Sequence, residues 1–227
     1  MKQLTLLLLL LCAFSVHLSA QDVKPTSYKQ CPDNNHPHLI DLGLPSGTKW
    51  ACCNVDAKSP EDYGGYYAWG ETEEKEIYND VTYRYSSGED TDGDGWYDKN
   101  GQYQSLGSSI CGTQYDVAHM KWGGSWQLPD FDQIVELLDE CEYEWTTLNG
   151  VKGQKFTGPN GASIFLPAAG CRSGTDLRFS GFLGNGWSGT QCTSINSYAF
   201  YLGFGNGRAG WIANYRWGGQ TVRPVAE

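Results

Sequence analysis

Only one stretch of this chain repeats its apolar residues at helical spacing, and that limits what it can become. In LPDFDQIVELLDEC, Phe131, Ile134, Val135, Leu138 and Cys141 fall three and four residues apart, as one face of a helix requires. Asp130 stands where a side chain can accept from the first free amides, and Gln133, three residues on, completes a capping-box pattern. The spacing predicts a helix over about 130–141. Everywhere else the signals are short apolar runs between turns. Leu39–Leu42 and Thr48–Cys53 flank the turn Leu44-Pro45-Ser46-Gly47, and Trp145–Leu148 runs into Asn149-Gly150. Gln154–Thr157, Ser163–Leu166, Ser197–Phe204 and Val222–Val225 read as further strands. The 29 glycines and an aromatic share of 14% suit such a turn-rich, β-containing domain with many rings near its surface.

The first residues, MKQLTLLLLLLCAFSVHLSAQ, place one lysine before an apolar run and end on Leu18-Ser19-Ala20. That pattern predicts a signal peptide over 1–20 and an exported protein, in the periplasm, on the outer-membrane surface or outside the cell. Residues 21–37 read as a polar leader and 38–227 as a single domain. Residues 71–110, polar and acidic, read as an insertion in that domain. No later apolar run is long enough to span a bilayer. The formal charge of −10 argues against nucleic acid and anionic lipid as partners.

Export makes disulfides the default for Cys31, Cys52, Cys53, Cys111, Cys141, Cys171 and Cys192. The odd number leaves one thiol over, free or bonded to another chain. Adjacent Cys52 and Cys53 do not readily bond to each other. The expected framework links Cys31 and Cys141 to the Cys52/Cys53 pair, in either order. It closes a loop between Cys171 and Cys192 and leaves Cys111 over. Zinc is the competing use of these residues. The spacing reads against it, because there is no CxxC pair and His36 and His38 stand near one cysteine only.

The segment DTDGDGWYDKNG matches a calcium loop at five points. Asp90, Asp92 and Asp94 take positions one, three and five; Trp96 offers its carbonyl and Asp98 a further carboxylate. Gly101 stands where the bidentate glutamate should be, and no helical pattern flanks the loop. Calcium here would order the insertion rather than take part in chemistry. Signs of catalysis are few: His119 is isolated, there is no G-x-S-x-G, and the glycines of GFLGNG precede no helix or lysine. The chain reads as a non-enzyme. Aromatic residues are the stronger lead. Trp187, Trp211, Tyr215 and Trp217 lie among Gly, Ser and Asn with Arg178 and Arg208 nearby, and rings in such loops stack on sugars or anchor protein partners.

Several longer motifs, DLGLPSGTKWACCNV, DYGGYYAWGE, GTQYDVAHMKWGGSWQLPD, GPNGASIFLPAAG and TVRPV, together resemble exported Bacteroidetes proteins that carry the Fibrobacter succinogenes major paralogous domain. The resemblance spans about residues 38–226. It implies the C-type-lectin-like superfamily: an α+β fold with a small twisted antiparallel sheet, one or two helices and long irregular loops. It also implies binding or adhesion at the cell envelope, to a glycan or a surface protein, or a structural place in a surface assembly. The formylglycine-generating enzymes share that superfamily, but Cys171 and Cys192 match their active pair in neither spacing nor neighbours. Gln127-Leu128-Pro129-Asp130 carries one residue too many for the calcium-lectin signature.

Overall fold

A computed structural model describes residues 35–227. The expected signal peptide, most of the leader and Cys31 lie outside them. Fifteen elements follow in order: β1 Leu39–Asp41, β2 Lys49–Ala51, β3 Ser86–Glu89, β4 Lys99–Tyr103, α1 Val117–Trp122, α2 Phe131–Glu140, β5 Glu142–Leu148, β6 Val151–Thr157, β7 Ser163–Pro167, β8 Cys171–Ser173, β9 Asp176–Arg178, β10 Leu183–Gln191, β11 Tyr198–Gly205, β12 Arg208–Tyr215 and β13 Val225–Ala226. The strands form five small antiparallel sheets: β1-β2-β13, β10-β11-β12, β5-β6-β7, β3-β4 and β8-β9.

This overturns the α+β, C-type-lectin-like expectation. Strand takes 39% and helix 8%, in two short helices, so the chain is mostly β. The reason is local. Only α2 has the length and periodicity of a helix that packs along its whole face, while α1 is six residues held by its cap. The region expected as long irregular loops is the longest hairpin system among the described residues. β10 and β11 pair from Leu183↔Gly205 onward, and β11 and β12 from Gly205↔Arg208 to Tyr198↔Tyr215. Glycine density disguised it. Gly184 faces Phe204 across the ladder, and a Cβ there would meet the Phe204 ring at 2.0 Å, so the strand carries glycine to admit its neighbour's ring.

The capping box of α2 forms as expected, with Asp130 accepting from the Gln133 amide and the Gln133 side chain accepting from the Asp130 amide. Its deepest residues are Ile134 and Leu137, while Val135 and Leu138 are half-buried. Asn149 and Gly150, both at positive φ, join β5 to β6 in a two-residue turn. The main core gathers Ile40, Trp50, Ile134, Leu137, Phe156 and Phe204 between α2 and the sheets. A second core holds Trp69, Ile110, Leu128 and Trp187. The stretch read as an insertion supplies Tyr78 and Tyr83 to a third, with the Tyr78 hydroxyl donating to the Tyr66 carbonyl and the Tyr83 hydroxyl to the Trp69 carbonyl. Among the described residues no helix is long and apolar enough to cross a membrane.

Candidate functional site

Period-two alternation divides the β10–β12 sheet into two faces. One face carries Phe204 and Leu202 beneath α2, then Phe200 and Tyr198, with Trp211, Ala213 and Tyr215 opposite them on β12. Where α2 begins, it stops covering this face, and rings take over. Phe131, the first residue of α2, packs on Phe200 (4.7 Å between centroids) and Trp211 (5.1 Å). Tyr215 lies against Tyr198 (4.5 Å) and stacks on Trp217 at 5.3 Å with only 20° between planes. Trp217 in turn meets Trp96 at 4.5 Å. Trp211 is 51% exposed and Tyr215 40%, so the strip offers ring surface rather than sealing it. The four-residue step from Trp211 to Tyr215 spans about 13 Å. A hydrogen bond with the Tyr215 phenol pushes the Tyr198 phenol up to about 12.

Polar clefts flank the strip. A cleft of about 330 Å³ at the Phe131 end is lined by Asp130, Asp132, Ser108, Ser109 and Thr190. Another, of about 500 Å³, lies at the Tyr198 end between Gln102, Tyr103, Asn196 and Ser197. Asn196 donates to the Tyr103 carbonyl (2.7 Å), which fixes that rim.

The ligand residues expected from the sequence therefore divide. Trp211, Tyr215 and Trp217 come together. Trp187 does not join them: it is 1% exposed, paired with Tyr201 on the opposite face, and its indole donates to the Tyr67 carbonyl. Arg208 alternates to that same opposite face and lines an apolar cleft of about 370 Å³ with Leu183, Tyr201 and Ile212. Arg178 belongs to the β8-β9 hairpin, 3.6 Å from Asp176. Phe131, Phe200, Tyr198 and Trp96 were missed. Phe131 was read only as a core position of the helix and Trp96 only as a carbonyl donor of the acidic loop, while Phe200 and Tyr198 needed the sheet register.

The acidic loop joins β3 to β4, a hairpin with no helix on either side. Asp90, Asp92 and Asp98 bring carboxylate oxygens within 4.8 Å of one another. Asp90 accepts from the Gly93 and Gly95 amides, Asp92 from Asp94 and Asp98 from Thr91. Asp98, hydrogen-bonded by the Thr91 hydroxyl and amide, titrates below the usual carboxylate range. Asp94 departs from the expected set, its Oδ1 taken by the Trp96 amide at 2.9 Å. That bond helps place the Trp96 ring on Trp217.

The expected disulfides do not form where the structure describes them. Cys111, Cys141, Cys171 and Cys192 are thiols. Cys171 lies beside Asn185, near the start of β10, while Cys192 follows its end. Seven residues of strand hold them roughly 20 Å apart. Cys141, at the C-terminal end of α2, shares the main core with Cys52 and Cys53 without bonding to either. Burial pushes the Cys111 and Cys141 thiols up to about 11.

A hollow of about 470 Å³ is lined by Asp56, Glu61, Asp62 and Glu74, but no serine, cysteine or histidine lines it. Its carboxylates are tied up: Asp56 by the Tyr67 hydroxyl and Lys121, Glu61 by Asn149, Glu74 by the Tyr66 amide. No family model, curated protein or solved structure matches this chain, so its own geometry has to carry the functional argument.

Proposed function

We propose that this is a non-catalytic, exported binding module of the bacterial envelope that holds a glycan chain on the Trp211–Tyr215 strip. One observation carries the reading: two half-exposed rings on one sheet face, joined through Phe200 and Tyr198 and bounded at each end by a polar cleft. Aromatic faces take the apolar side of a sugar ring, and nearby hydroxyls, amides and carboxylates take its hydroxyls. A strip longer than one pyranose ring suits a chain rather than a monosaccharide.

Calcium belongs to this reading as a structural ion. Ligand oxygens at about 2.4 Å on opposite sides of calcium would stand about 4.8 Å apart, and the Asp90, Asp92 and Asp98 oxygens lie within that span. These three would hold the ion, and its charge would relieve their mutual repulsion. It would thereby steady the loop that carries Trp96.

Affinity electrophoresis through gels containing soluble polysaccharides, followed by calorimetry on any that retard the protein, tests the reading. Trp211→Ala and Tyr215→Ala should each weaken binding about 10- to 30-fold, equivalent to ~1.4–2 kcal/mol. Ile212→Ala, on the opposite face, should leave binding unchanged. A chelator should weaken binding without unfolding the domain. Retardation that survives both ring substitutions, or that Ile212→Ala abolishes, would remove the strip from the function. Absence of retardation in every gel would turn the strip toward a protein partner.

A further inference from the structure

The residues before β1 hold a feature that the glycan reading does not use. Antiparallel pairing continues one step beyond β1 and β2: the Cys52 amide donates to the His38 carbonyl at 3.0 Å, so Cys52 sits across from His38. His36, which lies before the strand, reaches the same sulfur, and its ring meets that of His38 edge to face. The result is a compact donor set. His36 Nδ1 stands 3.2 Å from Cys52 Sγ and His38 Nδ1 3.6 Å from it. The ligand atoms of all three residues lie within 4.8 Å of one another, and the two imidazoles meet edge to face at 5.0 Å.

These distances have a specific meaning. In a tetrahedral zinc site, with Zn–S about 2.3 Å and Zn–N about 2.05 Å, the sulfur-to-nitrogen edge is about 3.6 Å. The His38 edge, 3.6 Å, matches that value, and the His36 edge, 3.2 Å, is slightly shorter. The sulfur also accepts the His38 backbone amide at 3.1 Å. Two imidazoles and one thiolate suit zinc and exclude calcium or magnesium, which want oxygen. Cys52 is fully buried and the histidines half-buried, so an ion can enter from the imidazole side. A nucleophilic cysteine would need the reverse, a sulfur facing a cleft, and none of the clefts described above is lined by Cys52. The sheet behind the site is firm: buried Arg223 bonds the carbonyls of Ala51 and Cys52 and the Asn54 side chain.

We propose that His36, His38 and Cys52 form a zinc site that fastens the segment before β1 onto the end of β2. Three protein ligands leave one tetrahedral position for solvent or a further donor.

The test uses the purified protein under reducing conditions, stripped of metal and titrated with Zn²⁺, with Co²⁺ as a spectroscopic stand-in. Stoichiometric zinc that survives dialysis, and a cobalt complex showing a thiolate charge-transfer band with tetrahedral visible bands, are expected. Cys52→Ser should abolish the charge-transfer band and weaken zinc by at least about 100-fold, since even supporting partners cost 10–100-fold. Because Cys52 is buried, His36→Asn and His38→Asn provide a second route: each should weaken zinc comparably with the far-ultraviolet spectrum unchanged. Asp90→Asn should leave zinc untouched. Absence of zinc uptake, a cobalt complex without the sulfur band, or a folded histidine variant with undiminished affinity would each overturn the proposal.

Discussion

Asp116 is the sharpest place to test the account of this fold. One buried carboxylate accepts four backbone amides: Ala118 (2.9 Å) and His119 (3.1 Å) in the first turn of α1, and Gly112 and Leu128 (2.8 Å each) in the segments on either side. It therefore fastens the 111–112 turn, the start of α1 and the approach to α2, which carries Phe131. In Asp116→Ala, two of the stranded amides, Ala118 and Leu128, are fully buried. Leaving a buried amide unbonded costs about 1–3 kcal/mol. Of the other two, His119 is half-buried and Gly112 exposed, so their amides regain water. Against this, burial lifts the Asp116 pKa above its ordinary value despite the four amides, so the native protein bears an electrostatic cost that the alanine variant escapes. The net loss should be about 2–4 kcal/mol, a substantial part of the 5–15 kcal/mol typical of a whole domain. Asp116→Asn separates geometry from charge. An amide has one acceptor oxygen, so it can keep one pair of amides while its NH₂ confronts the other. It should lose nearly as much as alanine in spite of its shape. Urea titrations read by tryptophan fluorescence, with slopes compared to check that the unfolded states match, give both values. An asparagine variant within about 0.5 kcal/mol of the native protein would show that the four-amide hub holds nothing together.

Two further outcomes follow from buried groups. The fold should weaken in alkali. Cys111 and Cys141 are raised by burial from 9 to about 11, and burial also raises Tyr66, Tyr78 and Tyr83. Groups with raised folded pKa values stabilise fully below their unfolded values and lose that contribution as pH climbs through the folded ones. Urea midpoints should hold steady up to about pH 8.5 and fall steadily toward about pH 11; a flat profile would contradict the burial of these groups. Arg216, fully buried, donates to the Tyr83 hydroxyl and the Gln104 and Asn196 carbonyls and lies 4.7 Å over the Trp69 ring. Arg216→Met should cost about 2–4 kcal/mol through stranded acceptors and the lost cation–π contact. Equal stability on denaturation would mean that desolvating the guanidinium already cancels those bonds.

What could be read from the letters was whatever repeats locally. The α2 cap and face, the Asn149-Gly150 hairpin, β1, β2 and β11 all announce themselves within a dozen residues. β12 was missed, although Asn206-Gly207 between Gly205 and Arg208 is the same hairpin signal, because the surrounding glycines outweighed it. The contrast between Trp187 and Trp211 was illegible for a different reason. Both are tryptophans among small residues, and only strand register turns one toward the second core and the other toward solvent. The His36-Pro37-His38 pair was visible, but its partner Cys52 lies 14 residues beyond His38 and arrives only through cross-strand pairing. The family resemblance suggested helices and loops where cross-strand pairing makes hairpins.

The pairing of β13 with β2 has a consequence for how the molecule comes into being. Trp50 lies opposite Val225, so one of the earliest strands is completed by one of the latest. A ribosome delivers Val225 long after Trp50, with every other described hairpin in between. Local hairpins can form as they emerge, but the main core stays open on one side until position 225 is released. Such a fold closes its main core only once the last described strand has joined β2.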